Sequence, residues 1–299
     1  MAVNFIFSVE WIPLLAALGG SVVAAAWDLK TTEVPDEVFY AMFGIGIGYY
    51  IYQSFLASSL MPFVMPAAFA GVMFLIGYGM YKFGQWGGAD AFLLTAVAFL
   101  LPAIPLDLGF TPRMLFPFPV SYLINVFLVG TPYMLVYIAI IAARDRNVQK
   151  AFGRDMKASA KTYLIFTSVV FLIFLGLTFY ISQELSAQTP LSVLVKLSAF
   201  PAIGSFVLFV IYKFGRSVEN VAFKRKIPVS QLKVGDVLLE SKQFVGISAR
   251  KVAAIKKSGK EFVVIKEGVR FAPAFPLALL FTLFYGDAIF FILKYFLSI

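Results

Sequence analysis

The chain contains no histidine and no cysteine among its 299 residues. Without histidine there is no Ser–His or Cys–His nucleophilic pair and no H-E-x-x-H zinc site. Without cysteine there are no thiolate nucleophiles, disulfides, Cys-ligated zinc or iron–sulfur clusters, and nothing in the sequence reports on redox compartment. Charge is scarce as well. Asp, Glu, Lys and Arg make up 14% of the chain, whereas 61% is hydrophobic and 34 residues are Phe. A soluble core of this length cannot hide so much apolar surface, so the chain reads as an integral membrane protein. The side chains left for acid–base chemistry are Asp, Glu, Lys and Tyr. The lysines lie mostly in polar segments between the apolar runs.

A helix needs about 20 residues to cross a hydrocarbon core. Eight apolar stretches qualify, at about 5–27, 38–56, 61–83, 91–106, 119–143, 162–182, 190–213 and 271–296. The expected fold is an all-α polytopic membrane protein. With both termini outside, 22 of the 25 Lys and Arg fall in the inner segments, as the positive-inside rule requires. The loops around 28–37, 82–90, 144–161 and 214–270 are then cytoplasmic. Three regions are expected: helices over 1–213, a basic cytoplasmic module over 214–270, and a C-terminal helix over 271–299. The module holds 13 Lys and Arg against five acids. Its runs DVLLE, KVAAIKK and EFVVIKE read as short strands, the last two joined by SGK into a hairpin. Its charge suits the inner face or anionic lipid. No aromatic interleaving or helix-turn-helix pattern accompanies the charge, so nucleic acid is not an expected partner.

Two acids stand at one expected membrane depth. Asp28 ends the first stretch in AAAWDLKTTEVP, and Asp90 begins the fourth in GGADAFLL, 61 intervening positions later. Either alone has a plain reading, Asp28 as an interfacial residue beside Lys30 and Asp90 as a helix N-cap. Together, in a chain without His or Cys, they form a candidate carboxylate pair that shares a proton. Such a pair needs no metal and no organic cofactor. Gly87 and Gly88 beside it allow a close backbone approach and unusual dihedrals. GIGIG at 44–48 places Gly44 and Gly48 at a spacing suited to a helix-packing seam.

DLKTTEVP at 28–35 resembles the first-aspartate motif of type IV prepilin peptidases, and GGAD at 87–90 resembles the G-x-G-D signature of the same aspartic membrane proteases. Ala89 stands where the signature has its second glycine. The likeness is closest to the archaeal prepilin and preflagellin peptidases. It covers about residues 8–145, with a looser match at EGVRFAPAFPLALLF. The resemblance implies a membrane endopeptidase with Asp28 and Asp90 as its catalytic acids. It also implies pilin-like or preflagellin precursors as substrates, each with a basic leader on the cytoplasmic side of the cell membrane. Glu33, Asp36 and Glu37 would receive that leader. A rival reading makes Asp287, with Lys294, the working group of a proton-coupled transporter or lipid-handling protein.

Overall fold

The structure is a computed structural model that describes residues 9, 11–104, 113–185, 189–241, 246–290 and 294. Parts of the first, fourth and last expected spans, and residues 242–245 of the basic module, lie outside the described residues. The chain divides into two compact units, one made of residues up to Val136 together with those from Lys226 onward, the other of Tyr137–Arg225.

In the first unit, α1 (Trp11–Thr31), α2 (Asp36–Leu56) and α3 (Met61–Lys82) surround a short central helix, α4 (Gly88–Leu100). α4 is apolar on every side, and Leu94, Ala96, Val97 and Ala98 are fully buried. A helix hydrophobic all round must be enclosed by others. At about 1.5 Å per residue its 13 residues do not span a bilayer, and Leu101–Pro102 stops it because proline cannot continue a helix. α5 (Phe118–Arg144) and α9 (Ala274–Tyr285) complete the set, α9 packing on α1. Outward faces carry Phe55, Leu75 and Ile51 well exposed, the surface expected against lipid rather than water.

Close packing of α2 on α4 depends on a glycine, but not on the expected pair. Gly44 and Gly48 face open space, whereas a Cβ on Gly46 would come within 2.8 Å of the Phe99 ring. The seam therefore runs through the middle glycine of GIGIG, because the helix turns about 100° per residue and presents only one of the three to α4.

The second unit is an antiparallel pair, α6 (Arg146–Glu184) and α7 (Leu191–Ala222), continued from the end of α5. Asp145 caps α6 by accepting from the Asn147 N–H at 2.8 Å. Val148, Val218 and Phe223 are buried together at one end.

Among the described residues five helices, α1, α3, α5, α6 and α7, are long and apolar enough to cross a membrane. α4 and α9 are apolar but shorter, and the glycines and tyrosines of α2 dilute its hydropathy. The described residues are thus mostly helical, with one small sheet among them. That sheet has the order β1-β3-β2, where β1 is Lys224–Pro228, β2 Val237–Leu238 and β3 Phe262–Lys266, and β2 pairs antiparallel with β3 through Val237 and Lys266.

KVAAIKK is a helix and not a strand: α8 spans Ala249–Lys257, so there is no hairpin across SGK. The physical reason is visible in the run itself. Val252 and Ile255, three apart, turn into the module's core with Leu232, Leu238 and Ile265, two alanines favour helix, and Lys256 and Lys257 suit a helix C-terminus.

Candidate active site

Asp28 lies one turn before the end of α1 and is 6% exposed. The chain leaves this helix through Thr32 at φ 61°, a conformation that a β-branched residue rarely adopts. Two donors hold the turn, the Thr32 N–H and the single Thr31 hydroxyl proton. The Thr32 N–H donates to the Asp28 carbonyl at 2.9 Å, and the Thr31 hydroxyl serves the carbonyls of Trp27 at 3.0 Å and Glu33 at 2.8 Å. The Asp28 Oδ2 accepts the backbone N–H of Ala272 at 3.0 Å, across 244 positions of sequence.

Asp90 is the third residue of α4 rather than its N-cap, a place taken by Gly87 in extended conformation. Its Oδ2 accepts the Gly87 N–H at 2.9 Å, closing the first turn on itself. A Cβ on Gly87 would stand 3.3 Å from that oxygen, so glycine keeps the approach open. The unusual dihedrals expected of this pair do not occur: Gly87 has φ −73°, which any residue can take, and Gly88 has only the Tyr81 ring near it. Ala89 packs against the core.

The turn before Gly87 is anchored by Trp86, which sequence reading passed over. Its buried indole stacks on Phe127 at 5.4 Å and meets Phe271 at 6.2 Å and Phe275 at 5.9 Å. A lone tryptophan just before a glycine pair was the available signal.

α1 and α4 pack together, and the two acids are close enough for the charge of Asp28 to act on Asp90. Arg270 in turn acts electrostatically on Asp28. Glu33, Asp36 and Glu37 are all exposed on the segment that follows Asp28. The latter two sit in the first turn of α2, where the helix dipole favours them. Gly235 of the basic module approaches Glu33, whose Oε1 would be 3.6 Å from a Cβ there.

Asp287 lies elsewhere. α9 ends at Tyr285, Gly286 follows at φ 81°, and Asp287 is buried beyond it. Its Oδ2 accepts from the Leu115 N–H and its own N–H donates to the Arg113 carbonyl at 3.1 Å. Asn125 ties the same corner, donating to Gly286 O at 2.8 Å and to Thr282 Oγ1 at 2.9 Å and accepting from the Ala288 N–H at 3.0 Å. One backbone donor, the Leu115 N–H, meets the buried carboxylate at this break in the last apolar stretch, and Oδ1 has no hydrogen-bond partner among the described residues. Asp287→Asn keeps an acceptor for Leu115 and is expected to retain cleavage within about threefold, whereas Asp287→Ala removes the acceptor of the part-buried Leu115 N–H and lowers stability by about 1 kcal/mol. Assaying peptide cleavage and thermal unfolding of both variants checks this, and complete loss of activity in a folded Asn variant would return Asp287 to the chemistry.

Helices enclosing a pair of carboxylates define a class of polytopic membrane protein with a two-acid centre. Residues 15–149, which hold both acids, match the Type IV leader peptidase family. Among curated proteins it is similar to a prepilin peptidase, EppA, of Methanothermobacter thermautotrophicus, at 29% identity over 178 residues covering 56% of this chain and 46% of that protein. It is also similar to a preflagellin peptidase of Methanococcus voltae, 29% identical over 119 residues (39% and 51% of the two chains). A third, a preflagellin peptidase of Methanocaldococcus jannaschii, is 30% identical over 112 residues (36% and 47%). The chain spans about half the length of these relatives.

Proposed function

We propose that this protein is a membrane aspartic endopeptidase that removes the basic leader peptide from type IV prepilin-like or preflagellin precursors at the cytoplasmic face of the cell membrane, with Asp28 and Asp90 as its catalytic acids. The observation that carries the reading is that two acids 62 positions apart in sequence stand on packed helices, α1 and α4, inside the segment matched to leader peptidases. The names of the relatives supply the substrate class. Eight membrane passes, one for each apolar stretch of the sequence, with both termini outside would place the loops at 32–35 and 83–87 on the cytoplasmic side, where a leader precedes an apolar substrate helix. The sheet-bearing segment 214–270 then forms a cytoplasmic module between the helices of 1–213 and the last helix over 271–299.

The chemistry follows from the pair. Two neighbouring carboxylates do not both ionise cheaply, so they share one proton. The ionised one removes a proton from water, which attacks the scissile carbonyl, while the protonated one donates to the carbonyl oxygen. Collapse of the tetrahedral intermediate returns a proton to the leaving amine. Each carboxylate accepts one backbone N–H, from Ala272 or Gly87, and these bonds fix the carboxylate planes.

The purified protein in detergent is therefore expected to cut a synthetic precursor peptide with no ion gradient present. A protein that does nothing outside sealed vesicles would instead act as a transporter. The exposed acids after Asp28 make a second expectation. Replacing Glu33, Asp36 and Glu37 together by Gln should raise KM for a leader rich in Lys and Arg by about tenfold, with kcat changed less than about twofold. A neutral leader should show no such difference. Equal KM values for the basic leader would remove these residues from substrate binding.

A further inference from the structure

Arg270, Phe271 and Ala272 lie far outside residues 15–149, yet they touch the supports of both acids. The Ala272 N–H donates to Asp28. Phe271 packs on Trp86, whose indole anchors the turn leading to Asp90. The strip is itself pinned from the other side by the Tyr133 hydroxyl, which donates to the Arg270 carbonyl at 2.8 Å, and by the edge-on contact of Phe271 with Phe275 at 5.8 Å. Its path is thus fixed at each residue, and with it the place from which the Arg270 side chain starts.

That side chain is half-buried, and its Nε has neither solvent nor a hydrogen-bond partner among the described residues. Arg270 also forms no ion pair within 4.0 Å among those residues. A guanidinium is always charged. Holding one partly out of water without a direct partner is unfavourable unless it faces an opposite charge through space. Asp28, whose Oδ2 is bonded to the same strip two residues on at Ala272, is a charge of that sign within electrostatic reach.

We infer that Arg270 is a positioning residue for the carboxylate pair: held by Tyr133 and the Ala272–Asp28 bond, it supplies the positive charge that offsets the single negative charge the pair carries. The inference rests on the endopeptidase reading and deepens it. Two carboxylates sharing one proton keep one net negative charge in every resting molecule, and their surroundings in α1, α4 and α9 are apolar. Water cannot screen that charge fully there, so a fixed cation from the strip that precedes α9 takes its place. Arg270 does not touch the reacting atoms; its effect falls on the chemical step and leaves substrate binding largely alone.

The test uses the full chain in detergent with a synthetic precursor peptide, measuring kcat, KM and thermal unfolding for wild type, Asp28→Asn, Arg270→Gln, Arg270→Lys and Tyr133→Phe. Arg270→Gln is expected to lose about tenfold or more in kcat with KM within about twofold, because only charge is removed. Arg270→Lys, which keeps the charge, should retain kcat within about threefold of wild type, and Tyr133→Phe should fall between the two. A folded Arg270→Gln with wild-type kcat overturns the inference alone. So does an Arg270→Lys whose kcat falls as far as that of Arg270→Gln. If Arg270→Gln does not fold, Arg270→Lys decides: near-normal kcat supports the role of charge, and a collapse of kcat in a folded Lys variant overturns it. A wild type that does not cleave, or an Asp28→Asn variant that does, overturns the endopeptidase reading and this inference with it.

Discussion

Asp28→Asn and Asp90→Asn are each expected to lower precursor cleavage by roughly a thousandfold or more, since each removes one half of a proton-shuttling pair. The substitutions are well suited to separate chemistry from folding. At position 28 an amide oxygen can still accept the Ala272 N–H, and at position 90 it can still accept the Gly87 N–H, so both hydrogen bonds survive. Melting temperatures in detergent should therefore stay within a few degrees of wild type. Asp→Glu at either position keeps the charge but moves the carboxylate by about 1 Å, a displacement that can cost about a hundredfold where geometry is preorganised. The Glu variants should consequently fail as well. A folded Asn variant with activity within about tenfold of wild type would show that its carboxylate is not half of the dyad.

The parts of this site that sequence could supply are the local ones. An acid at the end of an apolar stretch, and an acid two residues after a pair of glycines, are patterns within a few residues of chain, and Asp28 and Asp90 stand out in them. Bonds between distant parts of the chain carry no such trace. Nothing about Ala272 announces that its N–H will reach an aspartate 244 positions earlier, and nothing about Tyr133 announces its bond to Arg270. Periodicity also misleads in short runs. KVAAIKK has too few residues to separate a strand from one helical face, and its place beside EFVVIKE favoured the wrong choice. The GIGIG run fails for a related reason: which of three glycines faces a neighbour depends on the rotation of α2 about its axis, and that is set by the Phe99 and Leu100 side chains of α4. Asp287 looked reactive because it sits in an apolar stretch; the turn at Gly286 is local, but the Leu115 N–H that bonds its carboxylate and the Arg113 carbonyl that takes its own N–H come from another part of the chain.

Gly77 offers a test of how far the position of Asp90 depends on helix packing. It lies on the face of α3 that meets α4, and a Cβ there would fall 2.9 Å from the Ala91 Cα and 3.0 Å from its Cβ. Ala91 is the residue after Asp90 and is itself buried. The atom in the way belongs to the backbone of a packed helix, so no side-chain rotation relieves the clash, and α3 and α4 must separate. The start of α4 cannot move without the Asp90 carboxylate and the Gly87 turn that it closes. Gly77→Ala is expected to lower kcat by about ten- to a hundredfold, with a smaller change in KM, because displacements well under 1 Å already weaken a preorganised pair. Gly77→Val should go further and lower the melting temperature as well, by overpacking the same contact. Gly79, on the same helix, has nothing within 4 Å of its would-be Cβ. Gly79→Ala should keep kcat within about twofold, and the helix itself should gain slightly from the better helix former. The contrast between two glycines two residues apart distinguishes loss of α3–α4 contact from a general intolerance of α3 to substitution. Equal activity of the Gly77→Ala and Gly79→Ala proteins would mean that Asp90 is held in place by the turn at 83–87 alone, whatever the spacing of the helices behind it.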